Sequence, residues 1–109
     1  MVNWQDFEKI DIRTVTILSV ELFEGLRNPA FKLEIDFGVL GIKKSSAQLT
    51  QIYNAKDLIG KQIVAVVNFP PKQIKNFFSE CLVMGVYGDG GEVTLLTVDQ
   101  PVKNGLKIG

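Results

Sequence analysis

The stretch FKLEIDF at residues 31–37 decides the fold. Phe31, Leu33, Ile35 and Phe37 alternate with Lys32, Glu34 and Asp36, the period of two that marks a strand with one buried and one wet face. Upstream, Ile12 to Leu22 is rich in Val, Ile and Thr and longer than an average strand. That pattern predicts a bent strand, or one that serves two edges of a closed sheet. Gly25 to Pro29 breaks it. Earlier still, Trp4, Phe7 and Ile10 recur at threes behind Asn3, a candidate N-cap, with Asp6 three residues on. A short helix is expected over residues 3–10.

Downstream, past Gly38 and Gly41, IKKSS reads as a short strand. AQLTQIYNAKDLIG carries helical spacing in Leu49, Ile52 and Tyr53 and stops at Gly60. The nearly all-apolar QIVAVVNF predicts a strand buried on both faces, which Pro70-Pro71 must end because proline brings no N–H to a ladder. A loop with Lys72, Lys75 and Asn76 follows. CLVMGVYG and EVTLLTV read as two more strands joined at Gly88-Asp89-Gly90-Gly91, a hairpin turn. Five or so strands with a helix between the third and fourth, and no repeated strand–helix unit, point to an all-β Greek-key barrel of OB-fold topology. A different small β-barrel fits the same spacing.

At 109 residues the chain has the length of one domain, residues 1–109. An apolar fraction of 46% and a charged fraction of 22% argue against disorder. The absence of histidine removes Ser-His-Asp and Cys-His nucleophile pairs, His-containing zinc sites and a histidine general base. The single Cys81 cannot form an internal disulfide or a cysteine-rich metal site, so a reducing compartment is expected. The charged N-terminal stretch MVNWQDFEKIDIR lacks the apolar segment of a signal peptide, and no window is apolar enough to span a bilayer. The expectation is a cytoplasmic protein without membrane insertion.

Twelve basic residues balance twelve acidic ones, but unevenly along the chain. Residues 1–42 are net −3, residues 43–78 are net +5 through Lys43, Lys44, Lys56, Lys61, Lys72 and Lys75 against Asp57, and the remainder is net −2. The basic third either solvates loops and a helix or meets an anionic partner. The second requires its lysines to converge on one face.

Carboxylate pairs such as Asp6/Glu8 and Glu34/Asp36 read as solvated surface, and Cys81 as a small core residue with no base beside it. No enzyme is proposed from them. NFPPKQIKNFFSECLVMG, residues 68–85, is the stretch with the most unusual chemistry. Phe77 reads as a core anchor. Phe78, facing the other way in an extended segment, is free to stack on a base or to touch an apolar peptide side chain.

Taken together, FEKIDIRTVTI, NPAFKLEIDFG, GIKKSSAQLTQIYNAKDLIGKQIVAVVNFPPKQI, FFSECLVMG and PVKNGLKIG closely resemble the CsaA-type secretion chaperones of the tRNA-binding-domain family. The resemblance covers nearly the whole chain. It implies an OB-fold homodimer in which the N-terminal helix (1–11) and the C-terminal tail (99–109) build much of the subunit contact. The implied dimer residues are Trp4, Phe7, Ile10, Val102 and Ile108, for several of which a small barrel offers no core partner. It also implies a binding face for unfolded or presecretory polypeptides, with protein-translocation machinery as a further partner, or for tRNA as in relatives.

By that resemblance Lys32 matches a basic family position, Lys72 the Arg after the Pro-rich turn, Ser79 and Glu80 the SE pair, and Leu82 a position often Met. Ser46 and Asn68 lie in the SSAQ and VVNFPP motifs. Gln73, Asn76 and Phe78 depart from the family's second base, its glycine and its polar residue. Asn76 is expected to replace that glycine in a left-handed turn. Loss of a base and gain of an apolar surface favour peptide over tRNA. The expectation is therefore a non-enzymatic, ATP-independent chaperone with no cofactor. The alternative is a tRNA-binding module placing Lys32, Lys43, Lys44, Lys72 and Lys75 on phosphates with Phe78 stacking.

Overall fold

A computed structural model describes residues 1–109. Helix α1 (Trp4–Glu8) is followed by strands β1 (Ile12–Phe23), β2 (Ala30–Asp36) and β3 (Ile42–Ala47). Helix α2 (Ala55–Leu58), β4 (Gln62–Val66), β5 (Lys72–Ile74), β6 (Phe77–Ser79), β7 (Leu82–Val83), β8 (Gly85–Tyr87) and β9 (Val93–Leu95) complete the chain. The main sheet is antiparallel in the order β3-β2-β1-β4-β7, with β5-β6 and β8-β9 as separate hairpins. This curled sheet is an OB-type barrel, as the spacing of strands predicted.

The alternation read in residues 31–37 is the core itself. Phe31, Leu33, Ile35 and Phe37 turn inward and pack with Val15, Ile17, Leu49, Leu58, Ile63, Ala65 and Cys81. β1 is long because it does serve two edges. Its first half pairs with β4, its second half with β2, and the register shifts at Leu18 between Ile17 and Ser19. That bulge bends the strand so that one sheet can curl.

Opposite Ile12 to Thr14, where β2 no longer runs, the C-terminal tail takes over the ladder. Thr14 N–H donates to the Leu106 carbonyl (2.9 Å), Gly105 N–H to the Thr14 carbonyl (2.6 Å) and Ile108 N–H to the Ile12 carbonyl (2.8 Å). The Gln62 side-chain amide holds Val102 at both ends, donating to its carbonyl (2.7 Å) and accepting its N–H (3.1 Å). The tail fits only because Gly105, at φ +85°, has no side chain. A Cβ there would stand 2.5 Å from the Phe37 carbonyl oxygen.

Several local expectations give way to tertiary context. The N-terminal helix is shorter than residues 3–10: it opens, as read, on Asn3 with a capping box to Asp6, and ends at Glu8. The helical spacing from Ala47 to Gly60 yields only α2. Leu49 is instead buried in the barrel, and the Tyr53 hydroxyl accepts a bond from Leu95 N–H (3.0 Å), so both are fixed as loop residues. QIVAVVNF leaves the ladder after Val66, before the prolines. CLVMGVYG splits into β7 and β8, while the hairpin at Gly88–Gly91 forms as read. The expected loop over Lys72 to Asn76 is a hairpin, and its left-handed residue is Lys75 (φ 54°), not Asn76. No helix is long and apolar enough to cross a membrane.

Candidate functional site

In-register pairing arranges the wet face of the barrel in rows. Ser19, Glu34 and Lys44 lie side by side across β1, β2 and β3, and Glu21, Lys32 and Ser46 form the next row. Successive side chains of a strand point to opposite faces, so alternate residues of three strands gather on one surface. The β5-β6 hairpin, inserted between β4 and β7, folds over the end of this surface. The result is a groove of about 840 Å³. Its walls are Ser19, Glu21, Phe23, Glu24, Lys32, Glu34 and Lys44 from the sheet side, and Lys75, Asn76 and Phe77 from the hairpin.

The groove has an aromatic floor at the hairpin end. Phe23 and Phe77 meet edge to face with centroids 5.4 Å apart, and Phe23 is only 5% exposed. Lys32 Nζ sits 4.6 Å from the Phe23 centroid and 5.6 Å from that of Phe77, in cation–π range of both. Lys75 reaches across the β1-β2 turn, its Nζ occupying the space that a Cβ on Gly25 would need. Three carboxylates and three ammonium groups line the groove, yet the chain's one ion pair is Arg13 with Asp11, outside it. The groove charges thus have no charged partner, although Glu34 accepts from Ser19 Oγ (2.8 Å) and Lys32 rests on the rings.

Of the candidate residues, Lys32, Lys44 and Lys75 come together. Lys43 is out of phase with Lys44 and points to the opposite face of β3. Lys72 is exposed on β5 outside the groove wall, so the basic third does not converge as a whole. Phe78 is 53% exposed on the outer side of the hairpin, opposite in sense to Phe77, as the extended reading required. Leu82 is exposed on β7, paired with Val66.

Ser46, Ser79 and Glu80 serve the barrel's closure. β3 and β7 share no ladder, and β3 is joined instead to the chain leading into β7, mostly through side chains. Lys44 N–H donates to Glu80 Oε1 (2.9 Å), Ser46 N–H to Ser79 Oγ (3.1 Å) and Glu80 N–H to the Lys44 carbonyl (2.8 Å). Ser45 Oγ adds a bond to the Cys81 carbonyl (3.0 Å). Asn68 also has a structural post. Its amide accepts from Asp11 N–H (2.9 Å) and donates to the Lys9 carbonyl (2.6 Å), pinning the link between α1 and β1. Burial pushes the Cys81 thiol up to about 12, so it stays protonated and inert at neutral pH.

A second apolar cluster, Ile12, Val64 and Val66, lies on the other side of the sheet. Phe7 and Ile108 do find partners there, together with Met84 and Leu96. Trp4 is 77% exposed, and Ile10 and Val102 are exposed as well. Glu21, Glu24, Glu34, Ser19 and Phe23 were not singled out as site residues from the sequence. The signal was present in the outward phase of β1 and β2, but only the register across the bulge puts them in one groove.

A family model described as a putative tRNA binding domain matches residues 12–107. The crystal structure of the chaperone CsaA from Bacillus anthracis is 52% identical, covers 100% of this chain and 99% of its own, and superposes with a TM-score of 0.95. The CsaA chaperone protein from Picrophilus torridus is 51% identical over both whole chains, with a TM-score of 0.93. The methionine–tRNA ligase of Nanoarchaeum equitans is 36% identical over 99% of this chain, which spans only 14% of that ligase.

Proposed function

This chain belongs to the tRNA-binding-domain family, with CsaA chaperones among its relatives, and we propose that it is an export-related chaperone that holds unfolded or presecretory polypeptide segments in the groove. The carrying observation is the interleaving of Glu21, Glu24 and Glu34 with Lys32, Lys44 and Lys75 along one groove floored by Phe23 and Phe77. A continuous polyanion entering there meets three carboxylates at close range. An extended polypeptide, with charges of both signs and apolar side chains on alternate residues, can satisfy all three surfaces. The exposed Phe78 on the hairpin adds apolar contact at the rim.

In this reading holding is passive, without ATP, cofactor or catalysis, and takes place in the cytoplasm. Two chains associate through α1 and the tail, covering Trp4, Ile10 and Val102. Handover to the translocation machinery follows from the export role.

A second reading keeps tRNA as the ligand. The family model favours it, and Lys32, Lys44 and Lys75 are placed to meet phosphates. Suppression of aggregation of a chemically unfolded client, with and without competing tRNA at about 150 mM salt, separates the two, because phosphate-dominated binding falls steeply with salt. Client holding that survives excess tRNA supports the polypeptide reading. Submicromolar tRNA binding at that salt, with no client protection, overturns it. Phe78→Ala is expected to weaken client holding more than Lys72→Ala, and the reverse order removes the reason to prefer polypeptide.

A further inference from the structure

The groove contains a charge that its own chemistry would recognise in a ligand. Lys32 Nζ lies over the Phe23 ring and within reach of the Phe77 ring. An ammonium placed so is attracted by the negative faces of the rings. Around this aromatic pair the groove is lined by Glu21, Glu24 and Glu34, none of which forms an ion pair with Lys32 or with any other residue. In the register of β1 with β2, Glu21 stands directly opposite Lys32. A cation is thus held by rings while carboxylates within the same groove are left unneutralised.

We infer that the Phe23–Phe77 pair, with Glu21 and Glu24 beside it, is a subsite for a cationic side chain of the bound polypeptide, and that Lys32 is its internal, displaceable occupant. The inference rests on the reading of the groove as a polypeptide site and goes beyond it by giving Lys32 a role opposite to that of a ligand anchor. In the empty groove Lys32 covers the rings. An incoming Arg side chain takes its place, because a guanidinium stacks flat on an aromatic face and offers several donors to carboxylates, whereas an ammonium is a strongly hydrated point charge. Lys32 swings out on its flexible stem. Competition by Lys32 sets a threshold: segments with a cation at the matching position displace it and gain the subsite, whereas segments without one leave it on the rings and bind through the rest of the groove.

The test uses two fluorescently labelled 12-residue peptides, acetylated and amidated at their ends, that differ only in carrying Arg or Gln at the centre. Their binding to the wild-type protein and to Lys32→Gln is measured by anisotropy at two salt concentrations. The expected result is that the wild type prefers the Arg peptide. Lys32→Gln should then bind the Arg peptide about fivefold more tightly, the scale of a cation–π contact freed for the ligand, and the Gln peptide within about twofold of wild type. Phe77→Leu, which keeps apolar volume but removes the ring, should abolish the preference. So should Glu21→Gln combined with Glu24→Gln. Matching thermal melts confirm that the variants are folded.

Equal binding of the two peptides by the wild type, or weaker binding of the Arg peptide by Lys32→Gln, overturns the subsite while leaving the polypeptide groove intact. If neither peptide binds and a tRNA does, with Lys32→Gln weakening it, the groove reading itself fails and Lys32 is a phosphate contact.

Discussion

The two halves of β1 are built from similar residues and end in opposite states. From Ile12 to Thr16 the strand is paired with β4, from Ile12 to Thr14 also with the tail, and its side chains are committed. Thr14 Oγ1 donates to the Lys103 carbonyl (2.7 Å), Thr16 Oγ1 to Asn104 Oδ1 (2.7 Å) and Arg13 Nη1 to the Gly105 carbonyl (3.0 Å). From Ser19 to Phe23 the strand keeps its ladder with β2, but its outward carboxylate, Glu21, has no charged partner. The first half spends its polar groups on holding the chain together. The second offers them to a ligand, and the bulge at Leu18 divides the two.

The strongest way to break this contrast is to dislodge the tail. Gly105→Ala forces a Cβ against the Phe37 carbonyl at a positive φ, and should cost about 2–4 kcal/mol of unfolding free energy, since strain and lost ladder bonds act together. Urea unfolding measures it. A cost below about 0.5 kcal/mol would mean that the tail does not complete β1.

A smaller effect tests the clasp between β3 and the chain entering β7. Glu80→Ala removes the acceptor of Lys44 N–H and should destabilise the fold by about 1–2 kcal/mol, while Glu80→Gln keeps an oxygen there and should stay within about 0.5 kcal/mol of wild type. If both variants fold like wild type but lose ligand binding, Glu80 belongs to the groove and not to the closure.

Cys81 gives a pH-dependent prediction. Burial raises its folded value from 9.0 to about 12, so on raising the pH the unfolded chain releases the proton first. The thiol's contribution is intact below about pH 9 and is lost as the pH rises toward 12, reaching about 1.4 kcal/mol by pH 10. The wild type should therefore lose that much more stability than Cys81→Ala between pH 8 and pH 10. Parallel losses would show the thiol to be accessible.

The smallest expected stability effect lies in the groove. Glu21→Gln should change unfolding free energy by less than about 0.5 kcal/mol, because its carboxylate has no structural partner, yet it should alter ligand affinity measurably. A large loss of stability would make Glu21 part of the scaffold and erase the difference between the halves of β1.

The alternation in FKLEIDF, the length of β1 and the order of strands about one helix were legible in the sequence because strand periodicity and turn residues are local properties. The overlong helix prediction after Ala47 shows where local reading fails. Leu49 and Tyr53 have helical spacing, but burial in the barrel and a bond from Leu95 outweigh propensity. Ser79 and Glu80 read from the sequence as binding residues, because their bonds to the β3 backbone span more than thirty residues of sequence and leave no local trace.

By itself the sequence determined that this is a small β-barrel of the tRNA-binding-domain type, that histidine-based catalysis is closed to it, and that Phe77 and Phe78 face opposite ways. The last two follow from composition and from the two-residue repeat, and the first from strand spacing together with the resemblance of whole motifs to that family. Only the tertiary structure decided which charges share a groove. Lys43 and Lys44 are neighbours in the chain and point to opposite faces, whereas Glu21, Lys32 and Lys75 lie far apart in sequence and meet in one groove. Strand register and the fold of one hairpin over the sheet make that choice, and both are properties of pairing between distant segments.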